Sequence, residues 1–352
     1  RTGANCDVTY FSIKCSGNYL LQDSLKAYTV EHIHGTFNSN GQAVNAEHYS
    51  AFGSLNPIRL ILGGSYWTLT GRDYGYQTAW AVYDTLQFQA DSSVIEFTHP
   101  TARLYTQEPL HFNNVLFSAV EQTSKVETFR GTGSFNRLEF RKSGIIAGQY
   151  VIDSLIFAPG KSYQLDATKQ QEIREYFQVI GNNCLSIELS STVPGQKSKV
   201  LMNGGTIKAD FIQMRDQLAQ GSIGFYAGVH STDIGGSNTG WIFDSPEDYV
   251  DEGILGDDVV LCKNAQVDLD ARTYSPGETF RWSTGSADPM ISVNLPGIYW
   301  VDVSYTDNCR LRDSITVLES ADFVANLPAD TVLCEGDTLL LDAGLSLLGL
   351  TY

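Results

Sequence analysis

The sequence predicts an all-β chain: a right-handed parallel β-helix, then an immunoglobulin-like β-sandwich, then the truncated start of a second one. Three observations lead there. A loose six-residue motif recurs through the first two thirds of the chain, a strand-rich block recurs near the C-terminus, and 32 Gly among many Asn, Ser and Thr divide the apolar residues into short runs. Only the stretch from Thr168 to Tyr176 reads as helical, and its polar, Gln-rich composition suits a strand flank equally well.

At 352 residues the chain exceeds one ordinary core, which implies two or three modules. With 42% hydrophobic and 18% charged residues it can bury that core. The start at Arg1, without a Met or a signal-like apolar run, reads as a processed or trimmed end. No stretch is apolar enough to span a bilayer, so membrane insertion is not expected. The formal charge of −17 makes nucleic acid and anionic lipid surfaces poor partners.

The motif is an apolar or aromatic residue, Asn or Asp, and then x-Leu/Val-x-Phe. It occurs as Tyr83–Phe88, Phe112–Phe117, Phe135–Phe140 and Ile152–Phe157, at intervals of 29, 23 and 17 residues. Such an interval matches one coil of a parallel β-helix, in which each coil stacks on the last and buries its inward side chains in a column. The span from about Leu20 to Phe243 allows roughly nine coils at ~4.8 Å each, with residues 31–243 as the β-helix. Residues 1–30 then read as the cap of one end, with a short Cys6 to Cys15 loop.

Texture changes after Phe243. Asp244, Glu247, Asp248, Asp251, Glu252, Asp257 and Asp258 crowd among Pro, Gly and Ser, which marks 244–257 as an acidic linker. Carboxylates at this density can bind calcium, but their spacing matches no loop with defined ligand positions, so no cofactor is expected. Beyond it, Asp258-Val259-Val260-Leu261-Cys262 returns as Asp330-Thr331-Val332-Leu333-Cys334, and Val267–Ala271 as Leu339–Ala343, both 72 residues on. Residues 258–320 therefore form one sandwich module, and 321–352 a linker and the opening strands of the next. In the complete copy Tyr299, Val301, Val303 and Tyr305 face one way and Trp300, Asp302 and Ser304 the other, with Trp282 and Ile315 and Val317 on flanking strands.

Six cysteines lack Cys-x-x-Cys or zinc-ligand spacing. Cys262 and Cys309 flank the sandwich strands and are expected to staple it, worth about 4 kcal/mol in the chain-entropy model. Cys184 has no near partner and reads as a small buried residue.

Several segments are recognisable together. Gly35-Thr36-Phe37-Asn38-Ser39-Asn40-Gly41-Gln42, Arg59-Leu60-Ile61-Leu62-Gly63-Gly64-Ser65-Tyr66-Trp67-Thr68-Leu69-Thr70-Gly71, Val94-Ile95-Glu96-Phe97 and Gly235–Phe243 resemble the β-helical regions of large secreted surface proteins of Bacteroidetes. Arg281-Trp282-Ser283-Thr284-Gly285 and Pro296-Gly297-Ile298-Tyr299 resemble the immunoglobulin-like or PKD-like repeats of the same proteins. The resemblance covers about residues 30 to 352. It implies an adhesin-like protein at the cell surface, exported through the type IX secretion machinery.

Parallel β-helices also carry polysaccharide lyases and hydrolases, so catalytic constellations need weighing. The Asp257-Asp258 pair falls in the linker. Lys208, Asp210, Arg215 and Asp216 supply the residue types of a lyase, although isolated outward charges usually serve solvation. His32 and His34 alternate, with His48 near, but no third metal ligand is fixed by spacing. Gly63-Gly64 and Gly235-Gly236 lack the strand-to-helix context of a phosphate loop, and no Gly-x-Ser-x-Gly elbow occurs. No catalytic residue is expected. The aromatic run Tyr66, Tyr74, Tyr76 and Trp80, extended by Tyr83, is the candidate ligand surface, because flat rings on a rigid sheet can stack on sugars. Trp67, alternating with Leu69, is expected to face inward. The reading is a non-enzymatic extracellular adhesin or stalk segment, with a polysaccharide-active enzyme or a carbohydrate-binding module as alternatives.

Overall fold

The computed structural model describes residues 7–52, 58–73, 78–119, 122–244, 253–262, 264–275, 277–305 and 309–320. The protein is all-β, and no α-helix occurs among the described residues. Of the stretch from Thr168 to Tyr176, Thr168 lies in a turn and the residues from Gln170 on belong to the strand Gln170–Ile180.

Two compact units divide the chain. The larger comprises Arg1–Asp251, Arg272–Thr279 and Val303–Leu311; the smaller comprises Glu252–Ala271, Phe280–Asp302 and Arg312–Tyr352.

In the larger unit every ladder between named strands is parallel, and each strand pairs with one a few tens of residues further on. Pairing begins with Asp7–Ile13 against Leu25–His32, so residues before 30 already contribute strands. Because the registers are consistent, inward residues line up in columns. One column runs Leu25, Val44, Trp67, Ile95, Val115, Leu138, Leu155, Phe177, Ile207. Its neighbour, two residues along each strand, runs Ala27, Ala46, Leu69, Phe97, Phe117, Phe140, Phe157, Val179, Ala209. The rings of Phe97, Phe117 and Phe140 stack at centroid separations of 4.6 and 4.7 Å. That is the strand spacing itself, so one geometry satisfies the backbone ladder and the aromatic stack together. Each fully buried ring contributes roughly 1.5 to 3 kcal/mol of transfer free energy.

The sequence motif is this column viewed along the chain, for three of its four copies. Phe112, Phe135 and Ile152 are paired in register, as are Val115, Leu138 and Leu155. The Asn between them turns the corner: Asn136 Nδ2 donates to Asn113 Oδ1 at 2.7 Å, and Asn113 Nδ2 donates to the Ser93 carbonyl. The first copy is out of phase. Leu86 and Phe88 pair with Ile58 and Leu60 on a separate four-stranded sheet, and the Phe88 ring lies against Phe112 at 5.0 Å. The residues above Val115 and Phe117 are Ile95 and Phe97. Alternation with period two cannot tell which strand of a repeating unit a run occupies, and the 29-residue interval mixed two of them.

Close stacking also demands glycine. Gly221 has φ of +140°, and a Cβ there would sit 1.7 Å from the Met202 carbonyl oxygen. Only a residue without a side chain fits.

The smaller unit supplies most of a four-stranded sheet ordered Val259–Leu261, Arg310–Glu319, Gly297–Ser304, Thr279–Trp282, and holds an antiparallel pair of Val267–Asp270 with Met290–Val293. The expected alternation holds from Val301 on, with Val301, Val303 and Tyr305 buried and Asp302 and Ser304 more open, whereas Tyr299 is no more buried than Trp300. Trp282 is buried and donates its indole N–H to the Asp288 carbonyl.

The disulfide is not the expected one. Cys309 bonds Cys184, and Cys262 is an exposed free thiol. Residues 272–279 and 303–311 belong to the larger unit, where Thr273 Oγ1 bonds the Tyr305 hydroxyl and Arg141 lies over the Tyr274 ring at 4.6 Å. Cys184 sits in the Asn182–Leu185 turn, whose Asn182 side chain caps the following backbone N–H groups, and it is bridged from there. It is therefore not a solitary buried residue. Cys15 is exposed and free; its expected partner Cys6 lies outside the described residues, as do Cys334 and the second sandwich copy.

Candidate functional site

Of the aromatic run expected to form a flat ligand surface, Trp80 is enclosed. Trp80 is 0% exposed and packs at 4.3 Å on the Tyr49 ring, with Trp67, also buried, at 5.8 Å. The strand Trp80–Val82 is covered on every residue, because it lies between parallel neighbours and over the column. Tyr74 and Tyr76 lie outside the described residues. Tyr66 and Tyr83 are exposed; Tyr83 packs against Tyr105, and the Tyr66 hydroxyl meets Glu96.

What surrounds Tyr66 is polar. Register places Thr68, Glu96, Leu116 and Glu139 in one outward row across four successive strands. The Tyr66 hydroxyl donates to Glu96 Oε2 at 2.7 Å, and Ser118 Oγ donates to the other oxygen. Partial burial, the hydrogen bond to Glu96 and its negative charge push the Tyr66 phenol up to about 12, with Arg141 opposing. Glu139 accepts from Arg137 at 2.8 Å and from Arg141 at 2.7 Å. Burial works to raise its pKa, but the two guanidiniums outweigh it and hold the carboxyl below the usual range.

Glu96 and Glu139 are two strand spacings apart, about 9.6 Å along the ladder. That lies near the separation of an inverting hydrolase's acid pair. Both oxygens of each carboxyl are already engaged, those of Glu96 by the Tyr66 and Ser118 hydroxyls and those of Glu139 by Arg137 and Arg141.

A second row lies on the neighbouring strands. Arg103 contacts Glu127 and lies 5.0 Å from the Tyr105 centroid, and Lys125 reaches Glu127 at 2.9 Å. Burial of Glu127 is again outweighed by these cations, and its pKa is lowered. One cation nearby is different. Lys142 is fully buried and its ammonium donates to the carbonyls of Pro100 and His99, so desolvation lowers its pKa to about 8.

Among the residue types of a lyase, both carboxylates are already engaged. Asp210 is buried and accepts from the backbone N–H groups of Phe211 and His230 and from the His230 ring, each at 2.8 to 2.9 Å. Asp216 is buried and accepts from the Gly195 N–H, while Arg215 is exposed. These carboxylates hold corners together.

The histidines are structural as well. His32 is buried; Nε2 donates to the Gly35 carbonyl and Nδ1 faces the Tyr49 hydroxyl, and burial lowers its pKa. His48 Nδ1 meets the Thr78 carbonyl at 3.1 Å. Among the described residues no three His, Cys, Asp or Glu side chains group to hold a metal. Glu247, Asp248, Asp251 and Glu252 of the acidic linker lie outside them.

The chain matches no protein-family model, no curated protein and no solved structure. The interacting rows therefore stand on their own chemistry. Sequence reasoning passed over Glu96, Glu139, Arg137, Arg141 and Lys142. Arg137, Glu139 and Arg141 alternate and were legible as one outward face; their proximity to Tyr66 needed the register.

Proposed function

We propose that the larger unit is a right-handed parallel β-helix, that the smaller one is immunoglobulin-like, and that together they are a non-enzymatic, adhesin-like or stalk segment of an extracellular surface protein. The observation that carries this reading is the pairing-off of the outward charged rows. Glu139 and Glu127 are neutralised by neighbouring cations, and Asp210 and Asp216 are consumed by backbone N–H groups. Reactive chemistry needs a group held in a frustrated protonation state facing solvent, whereas these arrangements stiffen a surface.

Two further features support the reading. A disulfide persists in an oxidising compartment, which agrees with an exported protein. A net charge of −17 discourages edge-to-edge association of a strand-rich chain. Export through the type IX machinery rests on the sequence resemblance alone.

The test uses beads coated with the full chain, flowed over immobilised mucin and mannan, beside assays for released reducing ends and unsaturated uronates on soluble polysaccharides. Retention without depolymerisation is expected. Catalytic release of either product would replace the adhesive reading with the polysaccharide-active one, for which the Glu96 and Glu139 separation is the argument.

A further inference from the structure

Away from the expected aromatic run, a cleft of about 350 Å³ opens on the first strands of the larger unit, lined by Thr9, Lys26, Tyr28, Asn45, Glu47 and Thr70 over a floor at Ala27. From its geometry we infer that this cleft binds a neutral sugar, at the level of a mono- or disaccharide unit. The inference rests on the adhesin-like reading and gives it a site.

Four features point to this class of ligand. Tyr28 is 39% exposed, and its ring is gripped edge-on by Tyr10 at 6.3 Å and by His48 at 5.6 Å. His48 is itself buried and bonded to the Thr78 carbonyl, so the platform is fixed before a ligand arrives. An aromatic ring fixed at a cleft wall is suited to the C–H face of a pyranose, the role sought in vain at Trp80. Second, the polar groups are mixed. Asn45 offers both a donor and an acceptor, Thr9 and Thr70 offer hydroxyls, and Lys26 and Glu47 lie beside them. A set that alternates donors and acceptors matches vicinal hydroxyls, each of which is both.

Third, the uncharged groups Thr9, Asn45 and Thr70 outnumber Lys26 and Glu47, which are of opposite sign, so the lining suits a neutral polyol better than a uronate or an amino sugar. Fourth, the volume lies at the small end of ligand pockets, about 300 to 1,000 Å³, which suits a short unit better than an extended chain. Rigid strands supply the frame: Lys26 and Asn45 are register partners, as are Asn45 and Thr68.

The experiment is saturation-transfer NMR on the full chain with maltose, cellobiose and lactose, and with glucuronic acid as the charged comparison. Binding of at least one neutral disaccharide is expected, weakened about tenfold or more by Tyr28→Ala and by Asn45→Ala, the loss of roughly 1.4 kcal/mol or more. Tyr83→Ala, an exposed tyrosine remote in register, should leave it unchanged. Both cleft residues are exposed, and matching thermal midpoints show that the variants fold. No transfer from any neutral disaccharide, transfer indifferent to Tyr28→Ala, or stronger binding of glucuronic acid would each overturn the inference. Beads that adhere while the disaccharides fail would sink the cleft alone; beads that fail to adhere would sink the broader reading.

Discussion

Cys184 and Cys309, separated by 125 residues in sequence, are joined by a disulfide with their Cα atoms 5.8 Å apart. The bridge ties the turn after the strand Gln170–Ile180 to the 303–311 segment of the same unit, beside the Thr273 and Tyr305 hydroxyl contact. A loop of this length gives the unfolded chain much freedom to lose. Cys309→Ser is expected to lower stability by about 3 to 5 kcal/mol, read by urea unfolding. Peptide mapping without reductant should recover the two cysteines in one linked species; a Cys262 to Cys309 peptide would restore the original expectation.

Lys142 makes stability depend on pH. Its folded pKa, about 8, lies below the ordinary lysine value of 10.5, so the fold disfavours the charged form. Between those values the unfolded chain binds more protons, and stability rises with pH. Below about 8 the penalty is fully present. Lys142→Met should be more stable than the parent by about 1 to 2 kcal/mol at neutral pH, and the gap should close as pH rises to 10.5. A gap constant from pH 7 to 10 would refute the assignment of the cost to a buried charge.

The stacked rings predict a sharp contrast between inside and outside. Phe117, fully buried between Phe97 and Phe140, should cost about 3 to 5 kcal/mol when changed to Ala. Phe129, 63% exposed, should change stability by about 0.5 kcal/mol or less. Chemical denaturation of both variants checks it, and equal effects would mean that the column is not the core.

Gly221→Ala should destabilise by about 2 kcal/mol or more, since its Cβ cannot avoid the Met202 carbonyl at the observed φ. Gly195 also has positive φ but has nothing within 4 Å of an added Cβ. Gly195→Ala should cost less, only the backbone strain of about 1 kcal/mol. Thermal unfolding of the pair separates steric clash from conformational strain.

Much of the fold was legible because burial imposes a pattern on composition. Phe112-Asn113-Asn114-Val115-Leu116-Phe117 declares its inward residues by alternation, and its repeats stack as read. Which run stacks on which was not legible where two strands of a repeat carry the same alternation, as Phe88 and Phe97 show. The candidate site was less readable. Tyr66 and Trp80 look alike as aromatic residues, yet one is solvent-facing beside Glu96 and the other is enclosed, a difference set by pairing with strands far along the chain. Cysteine pairing failed for the same reason: sequence proximity favoured Cys262, and the partner came from 125 residues upstream.

The larger unit is assembled from three separate stretches, the last ending at Leu311. A nascent or translocating chain can wind its first ladders as they emerge, but Cys184 then waits with its sulfur unclaimed until Cys309 appears. During that interval Cys15 is a rival for mispairing, and an expressed fragment cut at the acidic stretch would keep the orphan thiol permanently. Oxidative refolding of the intact polypeptide should therefore outperform that of any piece ending near residue 244.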